Sequence, residues 1–201
     1  MNELKRRILY LSYKLRLSHI GSCLTAVNII DEIYKIKKPN ERFVLSAGHS
    51  HLAHAVVIEK YGIIKDAEKN IVKHGIHCER AGGCDVSTGS LGQGLPISVG
   101  IALADRSKNV YCLISDGECA EGSIFEAFRI VEEQELWNLK IYLNHNRWAA
   151  YQSTDKYWLP KIGPSFKHID TNFDELMPVL REPQEAHYKI LSKEEYEKII
   201  R

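Results

Sequence analysis

A chain of 201 residues, 44% of them hydrophobic, is long and apolar enough for one domain with an ordinary core. Its formal net charge is +1, and no basic stripe with interleaved aromatics occurs, so nothing in it draws nucleic acid or an anionic surface. No apolar run reaches bilayer length, and the basic start lacks the apolar stretch and cleavage site of a signal peptide, so no membrane association is expected.

Leu4, Ile8, Leu11 and Leu15 recur at helical spacing and predict an amphipathic helix over 3–16. Thr25 reads as the N-cap of a second helix with Val27, Ile30, Ile33 and Tyr34 on one face, broken at Pro39-Asn40. Phe43-Val44-Leu45 reads as a short buried strand. Ser46-Ala47-Gly48 turns into a helix over 49–61 that Gly62 closes, with His51 and His54 on its surface. Lys65 to Lys69 alternate in charge, as on a solvated helix face. Residues 71–85 read as a loop. Its His74, His77, Cys78 and Cys84 are of zinc's ligand types, but their spacing fits no common zinc pattern. The five cysteines are odd in number and form no Cys-x-x-Cys, which suggests reduced thiols in the cytoplasm. Cys112, within an apolar run, reads as a small core residue.

Residues 87–94 are dense in glycine and hydroxyls. They form either a packing loop or bare backbone that must touch a flat ligand. A helix over 95–104 follows, with Pro96 in its first turn and small residues for close packing. The centre of the chain is strand, helix, strand. Val110 to Ile114 is apolar and breaks at Ser115-Asp116-Gly117-Glu118. A helix spans 121–135. Leu139 to Leu143 is apolar and breaks at Asn144-His145-Asn146. Such a crossover makes the two strands parallel and puts both exits on the carboxyl edge of one sheet, where open α/β folds bind ligands. Asp116 and Asn146 then offer oxygens to one hard cation, or Asp-Gly is merely a turn. In the tail, 151–164 is irregular, 165–171 reads as a last strand and 173–180 as a short helix. Ser192-Lys193-Glu194-Glu195 is a capping box for a final helix over 194–200.

Asp116-Gly117 and, thirty residues on, Asn146 resemble the thiamine diphosphate motif GDG…N, with Ser115 in place of its first glycine. Glu41-Arg42-Phe43-Val44-Leu45-Ser46-Ala47-Gly48-His49 and Ser87-Thr88-Gly89-Ser90-Leu91-Gly92-Gln93-Gly94-Leu95 are similar to the transketolase family. The resemblance covers about residues 1–150, and the last fifty loosely. It corresponds to the amino-terminal, diphosphate-binding half of a transketolase. It implies an α/β fold, a mostly parallel sheet flanked by helices, as one domain over 1–201 with a shortened tail from about 150. It also implies thiamine diphosphate and Mg²⁺ (or Ca²⁺ or Mn²⁺). The cation would lie on Asp116, Asn146 and the main-chain carbonyl near Trp148. The Gly117 N–H would face a phosphate, and Gly89 and Leu91 the cofactor's rings.

Catalytic roles carry over to four histidines. His19 stands where the family reads Gly-His-Pro-Gly, here Ser18-His19-Ile20-Gly21. His49 stands in Ser-x-Gly-His, where it also reaches the cofactor. His77 competes with His74 for a third position. His187, in Ala186-His187-Tyr188-Lys189, resembles a late family histidine or is a surface residue of the tail. Glu121 matches a glutamate near the family's subunit interface, or is an ordinary first-turn acid. The family's cofactor-activating glutamate belongs to a pyrimidine-binding domain for which this length has no room. The expectation is therefore the small subunit of a split transketolase. It would work with a separate pyrimidine-binding chain, in a homo- or hetero-oligomer, and transfer a two-carbon ketol unit between sugar phosphates. Its exposed partner surface would lie on helices 95–104 and 125–131. Alternatives are a deoxyxylulose-phosphate synthase-like or 2-oxo-acid dehydrogenase-like enzyme, or a cofactor-binding scaffold without catalysis.

Overall fold

The computed structural model describes residues 1–155 and 166–201, so most of the expected irregular stretch 151–164 lies outside the described residues. Four parallel strands stand side by side in chain order: β1 (Arg42–Leu45), β2 (Val110–Ser115), β3 (Leu139–His145) and β4 (Phe166–Asp170). The pleat sends alternate side chains to opposite faces, and each face has its own core. Phe43, Leu45, Tyr111, Leu113 and Tyr142 meet the helices α1 (Glu3–Leu15), α2 (Ile20–Ile36) and α3 (His51–Lys60). Val44, Val110, Cys112, Ile114, Leu139, Ile141 and Leu143 meet α5 (Gly94–Ala104) and α6 (Gly122–Glu133). Both faces are covered, which explains why β2 and β3 read as continuous apolar runs. The expected α/β architecture is present.

Several local expectations are corrected. Thr25 is not a helix cap. It lies within α2 and its hydroxyl donates back to Gly21 O at 3.0 Å. The helix starts earlier, at Ile20, after His19 turns the chain through a left-handed φ of 63°. The stretch 71–85 is not all loop. A helix α4 (Ala67–His74), capped by the Asp66 carboxylate, occupies its start. His51 and His54 are not surface residues. Both are buried, because α3 is covered on the side away from the sheet as well. Residues 173–180 form turns and one 3-10 segment, Met177–Val179, in place of a helix.

The tail folds back over the amino terminus. α7 (Lys193–Ile200) begins with the expected Ser192–Glu195 capping box, and Tyr196 stacks on Tyr13 of α1 at 4.8 Å. The Cβ of Ala186 lies 2.7 Å from where a Cβ on Gly21 would stand. Only a glycine in α2 lets the tail approach so closely, and that approach carries His187 to the carboxyl edge of the sheet.

Candidate active site

The register of the two central strands sets the site. Ser115 pairs with Asn144, and the Asp116 N–H donates to Asn144 O at 3.1 Å, so the two strand exits lie side by side. Asp116 is 1% exposed. Its Oδ2 accepts from the Arg147 N–H at 2.7 Å and from the Thr154 hydroxyl at 2.8 Å, and its Oδ1 accepts from the Gly117 N–H at 2.9 Å. A left-handed φ of 72° at Arg147 aims that N–H, while its guanidinium turns to Asp170 at 3.3 Å. Burial pushes the Asp116 carboxyl above its ordinary range, and these neutral donors only partly oppose it. A carboxylate so placed is suited to a cation. Oδ1 keeps one lone pair, and Asn146 Oδ1, fixed by the Trp148 N–H at 2.9 Å, offers a second oxygen from a neutral amide. These oxygens fit a hard ion such as Mg²⁺. The Gly117 N–H, expected to face a phosphate, is instead engaged by Asp116.

A cavity of about 240 Å³ opens at this edge. His19, His49, His77, His187, Gly89, Leu91, Asp116, Gly117, Asn146 and Trp148 all line it, so every expected site residue but Glu121 is brought together. Glu121 is exposed at the N-cap of α6. The imidazoles of His19 and His187 are 4.4 Å apart, His19 and His49 5.3 Å, and His19 and His77 6.5 Å. A main-chain bond of 2.7 Å from the His19 N–H to His187 O locks the tail to this cluster. Burial, then the neighbouring His187 and His77, lowers His19 to about 4. Burial, then His19, lowers His49 to about 3, and burial also lowers His187. His19, His49 and His187 are therefore neutral near pH 7, and each of these imidazoles can both donate and accept a proton. His74, the competitor of His77, lies outside the cavity and pairs with Glu79 at 3.3 Å.

Sequence reasoning missed the groups that brace the site. Glu118 is wholly buried. It accepts from the Ser46 hydroxyl at 2.6 Å and from the N–H groups of Gly92 and Ser115, each at 3.0 Å. One carboxylate thus ties the ends of β1 and β2 to the glycine-rich loop. Thr154 and Asn144 were missed as well. No motif marks them, and Thr154 acts only through the fold of the segment after Trp148. A larger depression of about 700 Å³ lies between α1, α3 and α7, and four of its charged side chains pair with one another, Arg7 to Glu59 at 3.1 Å and Lys60 to Asp31 at 2.6 Å. Chemistry is better served by the smaller cavity.

The family model described as the transketolase, thiamine diphosphate binding domain matches residues 35–162. The chain is similar to one of the subunits of an apulose-4-phosphate transketolase from Phocaeicola vulgatus, 31% identical over 172 residues that cover 76% of this chain and 61% of that protein. It is similar also to the transketolase of Homo sapiens, 36% identical over 150 residues covering 64% of this chain and 24% of that one. The Campylobacter jejuni transketolase structure superposes with a TM-score of 0.78 at 18% identity, covering 99% of this chain and 42% of its own, a likeness of fold. A Pichia stipitis transketolase gives a TM-score of 0.66 at 25% identity, over 79% and 28% of the two chains. The chain spans less than two thirds of the length of each of these relatives.

Proposed function

The chain belongs to the transketolase family, through its thiamine diphosphate-binding domain, and on that premise we propose that it is the diphosphate-binding subunit of a split, transketolase-like transferase. The observation that carries this reading is one cavity lined by a buried carboxylate, which among the described residues accepts from neutral donors, and by four imidazoles. Asp116, Asn146 and the main chain at Trp148 would hold Mg²⁺, whose remaining positions suit water and phosphate oxygens. Thiamine diphosphate, when bound, supplies the carbanion chemistry that moves a two-carbon ketol unit.

The protein's own share is position and protons. Bare backbone at Gly89 lets the His77 ring pack 3.2 Å from where a side chain would start, and both line the cavity. Neutral His19, His49 and His187 bind the hydroxyls of a sugar phosphate, and a ring nitrogen can take or return the proton of a reacting hydroxyl. His19 Nδ1 is fixed 2.8 Å from the Ser18 hydroxyl, so its Nε2 is the nitrogen left for substrate. Glu121, exposed beside the site, suits a contact with a neighbouring chain.

A relative whose own name marks it as one subunit of its transketolase supports the reading of a separate pyrimidine-binding partner. The test is two-carbon transfer between sugar phosphates, assayed with this chain, with a candidate partner, and with both. Activity only in the mixture is expected. Full activity from this chain alone contradicts a partner. An inactive mixture that still binds thiamine diphosphate supports the scaffold reading.

A further inference from the structure

Behind the cavity wall, four side chains that the proposed chemistry does not use converge in the interior. His51 and His54 lie one turn apart on the same face of α3. Cys78 and Cys84 lie on the loop after α4, which a 3-10 turn at Arg80–Gly82 folds back on itself. The four are 0%, 1%, 2% and 6% exposed. One nitrogen or sulfur from each lies within 4.8 Å of all the others. Cys78 and Cys84 belong to the cluster, and His74 and His77 do not, because α4 and the loop turn them to Glu79 and to the cavity.

We infer that His51, His54, Cys78 and Cys84 form a structural zinc site. The distances agree with that ion. His51 Nδ1 lies 3.5 Å from Cys78 Sγ and 3.6 Å from Cys84 Sγ, and His54 Nδ1 lies 3.4 Å from Cys84 Sγ. A tetrahedral zinc with bonds of about 2.3 Å to sulfur and about 2.05 Å to nitrogen has N···S edges of about 3.5 Å. The outer partners suit the tautomers that zinc needs. The Asn70 amide donates to Gly82 O at 2.8 Å, which leaves its Oδ1 facing His51 Nε2 at 3.3 Å. His51 must then carry its proton on Nε2 and present a bare Nδ1 to the sulfurs. His54 Nε2 lies 2.7 Å from the Tyr34 hydroxyl, which can accept an Nε2 proton and so leave Nδ1 to ligate. An outer hydrogen-bond partner on each ligating imidazole is the usual accompaniment of a zinc site.

The chemistry balances. Two thiols lose two protons to solvent as Zn²⁺ binds, and two thiolates, two neutral imidazoles and the dication sum to zero charge. A neutral cluster is one that burial tolerates. Four protein ligands leave no open position, so the site is structural. Its place in the fold says what it holds. Zinc would tie the Cys78–Cys84 loop to α3, and the residue before Cys78 is His77, in the cavity wall. The inference goes beyond the proposed catalysis and stands without it.

The test is metal content and coordination of the purified full chain, freed of any histidine tag and kept reduced. About one zinc per chain is expected, with a zinc-edge absorption spectrum of two sulfur and two nitrogen neighbours. Cobalt exchanged into the site should show the thiolate charge-transfer band and the strong visible bands of a tetrahedral ion. Cys78→Ser/Cys84→Ser should lose the metal, and chelation should speed hydrogen exchange at residues 75–88. These readouts on the unaltered chain need no variant to fold, and none needs thiamine diphosphate or a partner, so their failure is distinct from failure of the catalytic reading. Zinc-free protein from zinc-supplemented cells, zinc without sulfur neighbours, zinc retained by the double variant, or a Cys78–Cys84 disulfide under reducing purification would each overturn the inference.

Discussion

Among the described residues Asp116 takes its hydrogen bonds from neutral donors, two main-chain N–H groups and one hydroxyl. The hydroxyl is the one of these that a side-chain change can remove without moving backbone. Thr154→Val should weaken Mg²⁺-dependent binding of thiamine diphosphate about 10- to 100-fold, as loss of an outer partner of a metal ligand does. Calorimetric titration reads this, and an unchanged affinity would mean that Thr154 does not orient the carboxylate. His19 yields a prediction in pH. Its ordinary value is 6.5, and burial with its histidine neighbours lowers it to about 4 in the folded chain. Between those values the unfolded chain binds more protons, so the stability present above 6.5 is lost as pH falls towards 4. Asn tolerates the left-handed backbone that His19 adopts. His19→Asn should therefore fold and show a shallower fall of unfolding free energy over that window, measured by urea denaturation. Parallel pH profiles would refute it. At this scale the sequence is legible where a residue is part of a contiguous motif, as Asp116 and His49 are. It is silent on Glu118 and on the burial of His51 and His54, because each depends on what another element packs against it.

Elements bound by their own periodicity are readable without the structure. β2 and β3 are apolar runs of strand length between turn residues, and α1, α6 and α7 show one apolar face and clear ends. Elements fixed by tertiary contact are not. α2 begins five residues before Thr25, with no side-chain cap, where the tail packs on Gly21 and the His187 carbonyl accepts from the His19 N–H at 2.7 Å. The glycine-rich loop 87–94 packs closely at Gly92 and Gly94 and lines the cavity at Gly89 and Leu91. A Cβ on Gly94 would stand 2.4 Å from Ser46 Cα, and backbone cannot yield as a side chain can. Gly94→Ala should cost about 1–3 kcal/mol or more through overpacking. Thermal denaturation checks this, and a variant as stable as the parent would show that the two segments are not pressed together.

At the scale of the whole molecule, some apolar side chains of α5 and α6 are partly exposed among the described residues. Ile97 and Leu103 on α5 and Phe125 on α6 are 37%, 40% and 42% exposed, on the helices expected to dock another chain. Adding the partner should slow hydrogen exchange along both helices. Exchange unchanged in a mixture that shows activity would place the interface elsewhere. Among the described residues no helix is long and apolar enough to cross a membrane. The central claim is that two neighbouring strand ends hold a cation bearing a diphosphate. Its most direct measurement is a calorimetric titration of thiamine diphosphate into the chain with and without Mg²⁺, on the parent and on Asp116→Ala. Saturable binding that needs Mg²⁺ and disappears in Asp116→Ala is the result expected. Binding indifferent to the metal or to residue 116, or none by the parent, would contradict it.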